Sequence, residues 1–63
     1  MLNSIQREIL TKIYNKDEFD YTKFEVELKF LSELGYVTLK YYDNKISICL
    51  LSKLGKELVE NNL

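Results

Sequence analysis

The fold of this chain depends most on residues 22–34, TKFEVELKFLSEL. Their pattern fits either a strand or a helix, and the two alternatives lead to different folds. The middle, FEVELKF, alternates apolar and charged residues, which is typical of a half-buried strand. The ends carry helix signals: Thr22 and Glu25 match a capping box, and Gly35 follows where a helix would end. Tyr21 and Val26 have the spacing of a hydrophobic staple around that start. Because these signals agree while the strand hypothesis depends on period alone, we predict a helix over 22–34.

An amphipathic helix is also predicted at the start of the chain. Asn3 and Gln6 complete a capping box for it. Its apolar stripe has spacings of three and four: Leu2, Ile5, Ile9 and Ile13. For residues 15–21 we predict a turn with a short extended piece before the second helix. The inner face of that helix is expected to hold Leu28 and Leu31, and Leu34 extends it.

A β-hairpin and a last helix are predicted for the second half. The strands are expected at 37–42 and 46–50, with Asp43 and Asn44 as turn formers between them. In the second strand, Ile46, Ile48 and Leu50 alternate with Lys45, Ser47 and Cys49. Ser52 is the predicted cap of the final helix.

The composition limits the chemistry that this chain can perform. With 63 residues we expect one domain, 1–63, that is marginal in size and has no deep substrate cleft. There is no histidine and only one cysteine, so we expect no enzyme activity, catalytic residue, cofactor or metal site. No apolar run approaches the roughly 18 residues of a membrane span. No signal-peptide pattern opens the sequence, so we expect a cytosolic protein.

Charge is unevenly distributed although the net charge is only -1. Residues 17–35 hold two lysines against six acidic residues, a local charge of -4. Residues 38–56 hold four lysines against one aspartate, a local charge of +3. The predicted hairpin is therefore the more favourable surface for phosphates, and the predicted helix 22–34 the less favourable.

The motifs LSELGYV (31–37) and LSKLGKELVE (51–60), separated by a hairpin, resemble winged-helix domains of the MarR and PadR type and their archaeal relatives. The resemblance implies a small α+β fold in the order helix, short extended piece, helix, β-hairpin wing, helix. It also implies a transcriptional regulator that binds duplex DNA. Only residues 15–21 lie between the first two predicted helices, so this domain lacks room for the family's separate positioning helix.

The resemblance also suggests which residues meet DNA, and the wide apolar arc of residues 24–34 suggests which residues meet a partner. The expected DNA contacts are Lys29 and Ser32 on the helix and Lys40, Tyr42 and Lys45 on the wing. A homodimer is expected, with an interface drawn from Val26, Phe30, Val59 and Leu63. The alternative is a protein-interaction module that does not bind DNA, which the acidic stretch 17–35 favours.

Overall fold

The computed structural model describes residues 2–62 and has an α+β fold. Its elements follow in the order α1 (Ser4–Tyr14), α2 (Glu25–Glu33), β1 (Val37–Tyr42), β2 (Lys45–Leu51) and α3 (Lys53–Asn62). The two strands form one antiparallel sheet. The predicted fold class and order of helices and hairpin are therefore confirmed. Across residues 2–62, none of these helices has the length and apolar character to cross a membrane.

The first helix begins as predicted. The Asn3 side chain accepts a hydrogen bond from the Gln6 N–H at 2.8 Å, and the Gln6 side chain accepts one from the Asn3 N–H at 3.0 Å. These two bonds satisfy exposed backbone donors at the helix start. Ile9 and Leu10 are buried, whereas Ile5 is exposed, so the buried face is narrower than the sequence stripe.

The second helix is confirmed over the strand alternative, but its predicted start is wrong. The Thr22 N–H donates to the Asp20 side chain at 3.0 Å, which forms a local turn of the Asx type. The Phe24 N–H then bonds the Tyr21 carbonyl, and the helix begins at Glu25 with no side-chain cap. The predicted capping box does not form, since Phe24 takes the N-cap position and no side chain caps the helix. The predicted staple does not form either, since Val26 points to solvent with 76% of its surface exposed.

The end of α2 is a Schellman motif, as the position of Gly35 predicts. Gly35 has a φ of 86°, in the left-handed region. The Tyr36 N–H donates to the Leu31 carbonyl, and the Gly35 N–H donates to the Ser32 carbonyl, each at 3.0 Å. This reversal sends the chain directly from α2 into β1.

The hairpin turns through two residues in the left-handed region, Asp43 at φ 54° and Asn44 at φ 64°. This is the type I′ geometry that suits a twisted two-residue hairpin. The register of pairing shifts between Lys40 and Tyr41. Lys40 lies opposite Ile48, whereas the next residue, Tyr41, lies opposite Ile46. Ser47 is therefore an extra residue in β2, a β-bulge.

The bulge overturns the simple alternation of β2. Ile46 is half-buried, but beyond Ser47 the inward positions become Cys49 and Leu51. Ile48 and Leu50 are exposed on the outer face of the hairpin. A regular two-residue period carried through Ser47 assigns these side chains to the wrong face.

One small core joins the layers, with α1, α2 and the hairpin each contributing. The buried residues are Ile9, Leu10, Leu28, Leu31, Val37 and Cys49. The third helix is attached at Ser52, whose N–H donates to the Tyr36 carbonyl at 3.0 Å. The Ser52 hydroxyl donates to the Gly35 carbonyl and accepts from the Gly55 N–H, so the predicted cap of α3 is confirmed. Residues 19–21, predicted as a very short extended piece, pair with no strand in the described chain.

Candidate nucleic-acid interface

The outer face of the hairpin brings together three residues that the sequence assigned to DNA contact. Lys40 and Tyr42 are two positions apart on β1 and so share a face. Lys45 lies directly opposite Tyr42 on β2. All three side chains are exposed, with Tyr42 at 79%. We call this surface of Lys40, Tyr42 and Lys45 the ribbon triad.

The two lysines of the ribbon triad hold no ion pair within residues 2–62. In that range the one ion pair, with a nitrogen–oxygen distance of 4.0 Å or less, joins Lys29 and Glu25. The Lys40 and Lys45 ammonium groups are consequently available for an external anion. The adjacent tyrosine offers an aromatic face and a hydroxyl on the same surface.

The two predicted contacts on α2 lie on a separate element and in a different environment. The Lys29 ammonium lies 3.4 Å from the Glu25 carboxylate, one helical turn away. Ser32 is only half-exposed, and its carbonyl caps the helix by accepting from Gly35. Glu33 is exposed near them, so this helix face is mostly acidic.

The outward surface of α2 also carries an apolar ridge, which we define as Val26, Phe30 and Leu34. These residues follow one another at four-residue spacing, and their exposed fractions are 76%, 42% and 44%. Val26 and Phe30 were predicted for an interface, whereas Leu34 was assigned to the inner face. The four-residue spacing between Phe30 and Leu34 is the sequence signal that would have placed Leu34 on this outward surface.

The other two predicted interface residues do not extend the ridge. Val59 is half-buried and packs against the core. Leu63 lies outside the described residues. Of the four predicted interface residues, Val26 and Phe30 therefore lie together on the ridge.

The acidic side chains and the single thiol are possible metal ligands or reactive groups. Within residues 2–62, no three aspartate, glutamate or cysteine side chains form a group suited to a metal ion. Burial raises the pKa of the Cys49 thiol to about 11. A thiol in this state is protonated and unreactive near neutral pH.

Comparisons with models of known protein families, with curated proteins and with solved structures found no match.

Proposed function

We propose that this chain is a small, trimmed winged-helix protein of the cytoplasm that binds duplex DNA, with the hairpin as its wing. The observation that carries the proposal is the ribbon triad, in which two unpaired lysines flank an exposed tyrosine on one strand-pair face. Lysine neutralises phosphates, and a two-stranded ribbon fits a DNA groove. A role in transcription regulation follows from the winged-helix resemblance.

The wing is the main contact in this proposal, and α2 is secondary. An acidic helix face is repelled by phosphates, and Lys29 is already engaged by Glu25. Contacts to phosphates fix position but carry little sequence information. We therefore expect weak binding with low sequence preference, in the range of about 1–100 μM typical of nonspecific complexes.

The experiment is fluorescence anisotropy with a labelled duplex of mixed sequence at low and moderate salt. Two phosphate contacts from one wing give a salt slope of about -1.8, so affinity falls about tenfold between 50 and 200 mM salt. The Lys40→Ala/Lys45→Ala variant should lose this dependence. Arg7→Ala, which removes one charge from the exposed face of α1, is the control and should bind almost normally. No binding at low salt, or equal loss in both variants, contradicts the proposal.

A homodimer is the second candidate, and the ridge on α2 favours it. Val26 and Leu34 lie one turn either side of Phe30, so the ridge is symmetrical about its centre. Two copies crossing antiparallel at Phe30 would bring Val26 of one against Leu34 of the other, as a two-fold interface requires. In this form α2 is covered and the chain is an interaction module, with or without DNA binding by the wings.

Sedimentation equilibrium tests the dimer. We expect Phe30→Glu to shift the equilibrium to monomer and Tyr42→Glu, an exposed aromatic on the hairpin, to leave it unchanged. A wild-type chain that remains monomeric at millimolar concentration contradicts self-association through the ridge.

A further inference from the structure

A groove of about 1030 Å³ runs beside β2, on the side of the molecule away from β1. The end of α1, residues 16–21 and α3 form its other walls. Its volume lies just above the usual range for ligand pockets, which is about 300–1,000 Å³. None of the three residues of the ribbon triad lines it.

The groove follows the edge of the strand. Three consecutive residues, Cys49, Leu50 and Leu51, all line it. Successive strand side chains point to opposite faces of a sheet, and indeed Cys49 is buried while Leu50 is 53% exposed. Only a groove that runs along the backbone itself meets both faces at once.

The backbone groups at this edge have no partner in the described chain. The Ser52 N–H bonds the Tyr36 carbonyl, so the residues one step inward, Leu51 and Val37, form a non-hydrogen-bonded pair. The pattern alternates, so Cys49 and Leu51 both direct their N–H and C=O groups away from β1. Within residues 2–62, no backbone or side-chain hydrogen bond from outside the hairpin reaches these groups.

The segment 16–21 contributes two aromatic side chains, Phe19 and Tyr21, to the groove lining. Phe19 lines the groove and is fixed by edge-on contacts with Tyr21 at 5.0 Å and Phe24 at 6.1 Å between ring centroids. A hydrogen bond of 2.9 Å from the Tyr14 hydroxyl to the Glu60 carboxylate joins two of the lining residues, one from α1 and one from α3. This bond and the negative charge of Glu60 raise the pKa of the Tyr14 hydroxyl above its ordinary value.

We propose that this groove binds an extended peptide segment of another protein, which adds as a third strand alongside β2. The free N–H and C=O groups of Cys49 and Leu51 would bond the peptide backbone, and alternate apolar side chains of the peptide would pack on Phe19. The charged rim is mixed, with Lys16 and Lys56 against Asp17, Glu18 and Glu60, so it does not select a strongly charged ligand.

One extended chain fits this groove better than a second copy of the protein. A second copy can present its own β2 edge only with β1 attached beyond it. Residues 16–19 line the same groove as β2, and we infer that they leave no room for this further strand. The occupant is therefore a single strand whose recognition comes from its backbone.

The test is hydrogen exchange followed by nuclear magnetic resonance on the full chain, with a defined probe. The probe is a capped heptapeptide in which valine alternates with threonine. We expect the Cys49 and Leu51 amides to exchange about tenfold more slowly when the peptide is bound, because each gains a hydrogen bond. The Leu50 amide, which already faces β1, should not change. The same peptide N-methylated at alternate residues keeps its side chains, loses backbone donors and should have no effect.

A pair of variants separates the groove from the rest of the hairpin. Leu50→Glu places a charge at the groove and should weaken the peptide at least about tenfold, the cost of burying an uncompensated charge. Ile48→Glu makes the same change on the same outer face, outside the groove, and should bind within about twofold.

Three results would overturn the proposal. One is an absence of added protection at Cys49 and Leu51 at any peptide concentration. Another is equal binding of the methylated peptide, which would identify a nonspecific apolar patch. The third is protection of these amides that rises with protein concentration alone, which would assign the edge to a second copy of the chain. None of these outcomes depends on DNA binding by the wing.

Discussion

Gly55 packs directly against the carbonyl group of Tyr36. A Cβ added at Gly55 would overlap the carbonyl oxygen of Tyr36 and lie 3.0 Å from both its carbonyl carbon and Cδ2 of Leu51. The same Tyr36 carbonyl accepts the Ser52 N–H. This contact holds the first turn of α3 against the junction of α2 and β1, and it explains why the helix carries a glycine there.

Replacing Gly55 with alanine should destabilise the protein, contrary to the usual effect in a helix. Alanine ordinarily favours a helix over glycine by about 1 kcal/mol. Here the added methyl meets backbone, which cannot rotate away, so we expect a net loss of about 1–3 kcal/mol in the free energy of unfolding. Urea denaturation measures it. Glu57→Ala, exposed on the same helix, is the control and should change stability by under about 0.5 kcal/mol. A Gly55→Ala variant as stable as wild type would contradict the close contact.

The second glycine should respond to substitution for a different reason. A Cβ at Gly35 has space, since its nearest atom is Leu54 Cδ2 at 3.9 Å, but φ is 86°. Only the backbone conformation opposes a side chain, at a cost of about 1–2 kcal/mol for Gly35→Ala. Gly35→Asn should cost clearly less, because asparagine tolerates the left-handed region. Equal losses for both variants in urea denaturation would point to steric crowding instead.

Several local features of the backbone, including the left-handed Gly35, could be predicted from the sequence. Local backbone chemistry was sufficient for the Asn3 cap, the Gly35 helix end, the Asp43–Asn44 turn and the Ser52 cap. In each case neighbouring residues form the hydrogen bond or hold the backbone angle, so short spacing carries the information. The order of helices and hairpin followed from those signals.

The failures have a common cause in competing or longer-range interactions. Thr22 has the spacing of a helix cap, but its backbone N–H bonds the Asp20 side chain instead, and the helix begins at Glu25. The bulge at Ser47 depends on how β2 pairs with β1. The alternation of residues in β2 alone therefore could not show that Cys49 faces the core and Leu50 faces outward. The groove beside β2 depends on how residues 16–21 pack in three dimensions, which no local sequence pattern indicates. The DNA-contact and dimer residues stay predictions.

The thiol of Cys49 should react slowly in the folded protein. Burial raises its pKa from the ordinary value of 9.0 to about 11, so the reactive thiolate is about a hundredfold rarer at any pH well below 9. Labelling with a disulfide reagent at pH 8 should accelerate by about that factor when urea unfolds the chain. A folded-state rate close to the unfolded one would show that the strand opens freely.

The same burial makes stability depend on pH. The folded state favours the protonated thiol, so the stabilisation is fully present below pH 9 and is lost as pH rises toward 11. Cys49→Ala should lack this component. The difference between the two urea midpoints should therefore narrow over that pH window, because the two proteins differ only at this residue. A constant difference would contradict the raised pKa.

Glu25→Gln should strengthen DNA binding by releasing Lys29. In the wild type their ion pair of 3.4 Å is exposed and contributes only about 0.3–0.5 kcal/mol to stability, so the folded state survives its loss. The freed ammonium can neutralise one more phosphate, which steepens the salt slope by about 0.9. Glu57→Gln changes the net charge equally from α3 and is the matched control. If both variants gain equal affinity with unchanged slopes in anisotropy titrations, net charge alone is responsible and Lys29 does not reach the duplex.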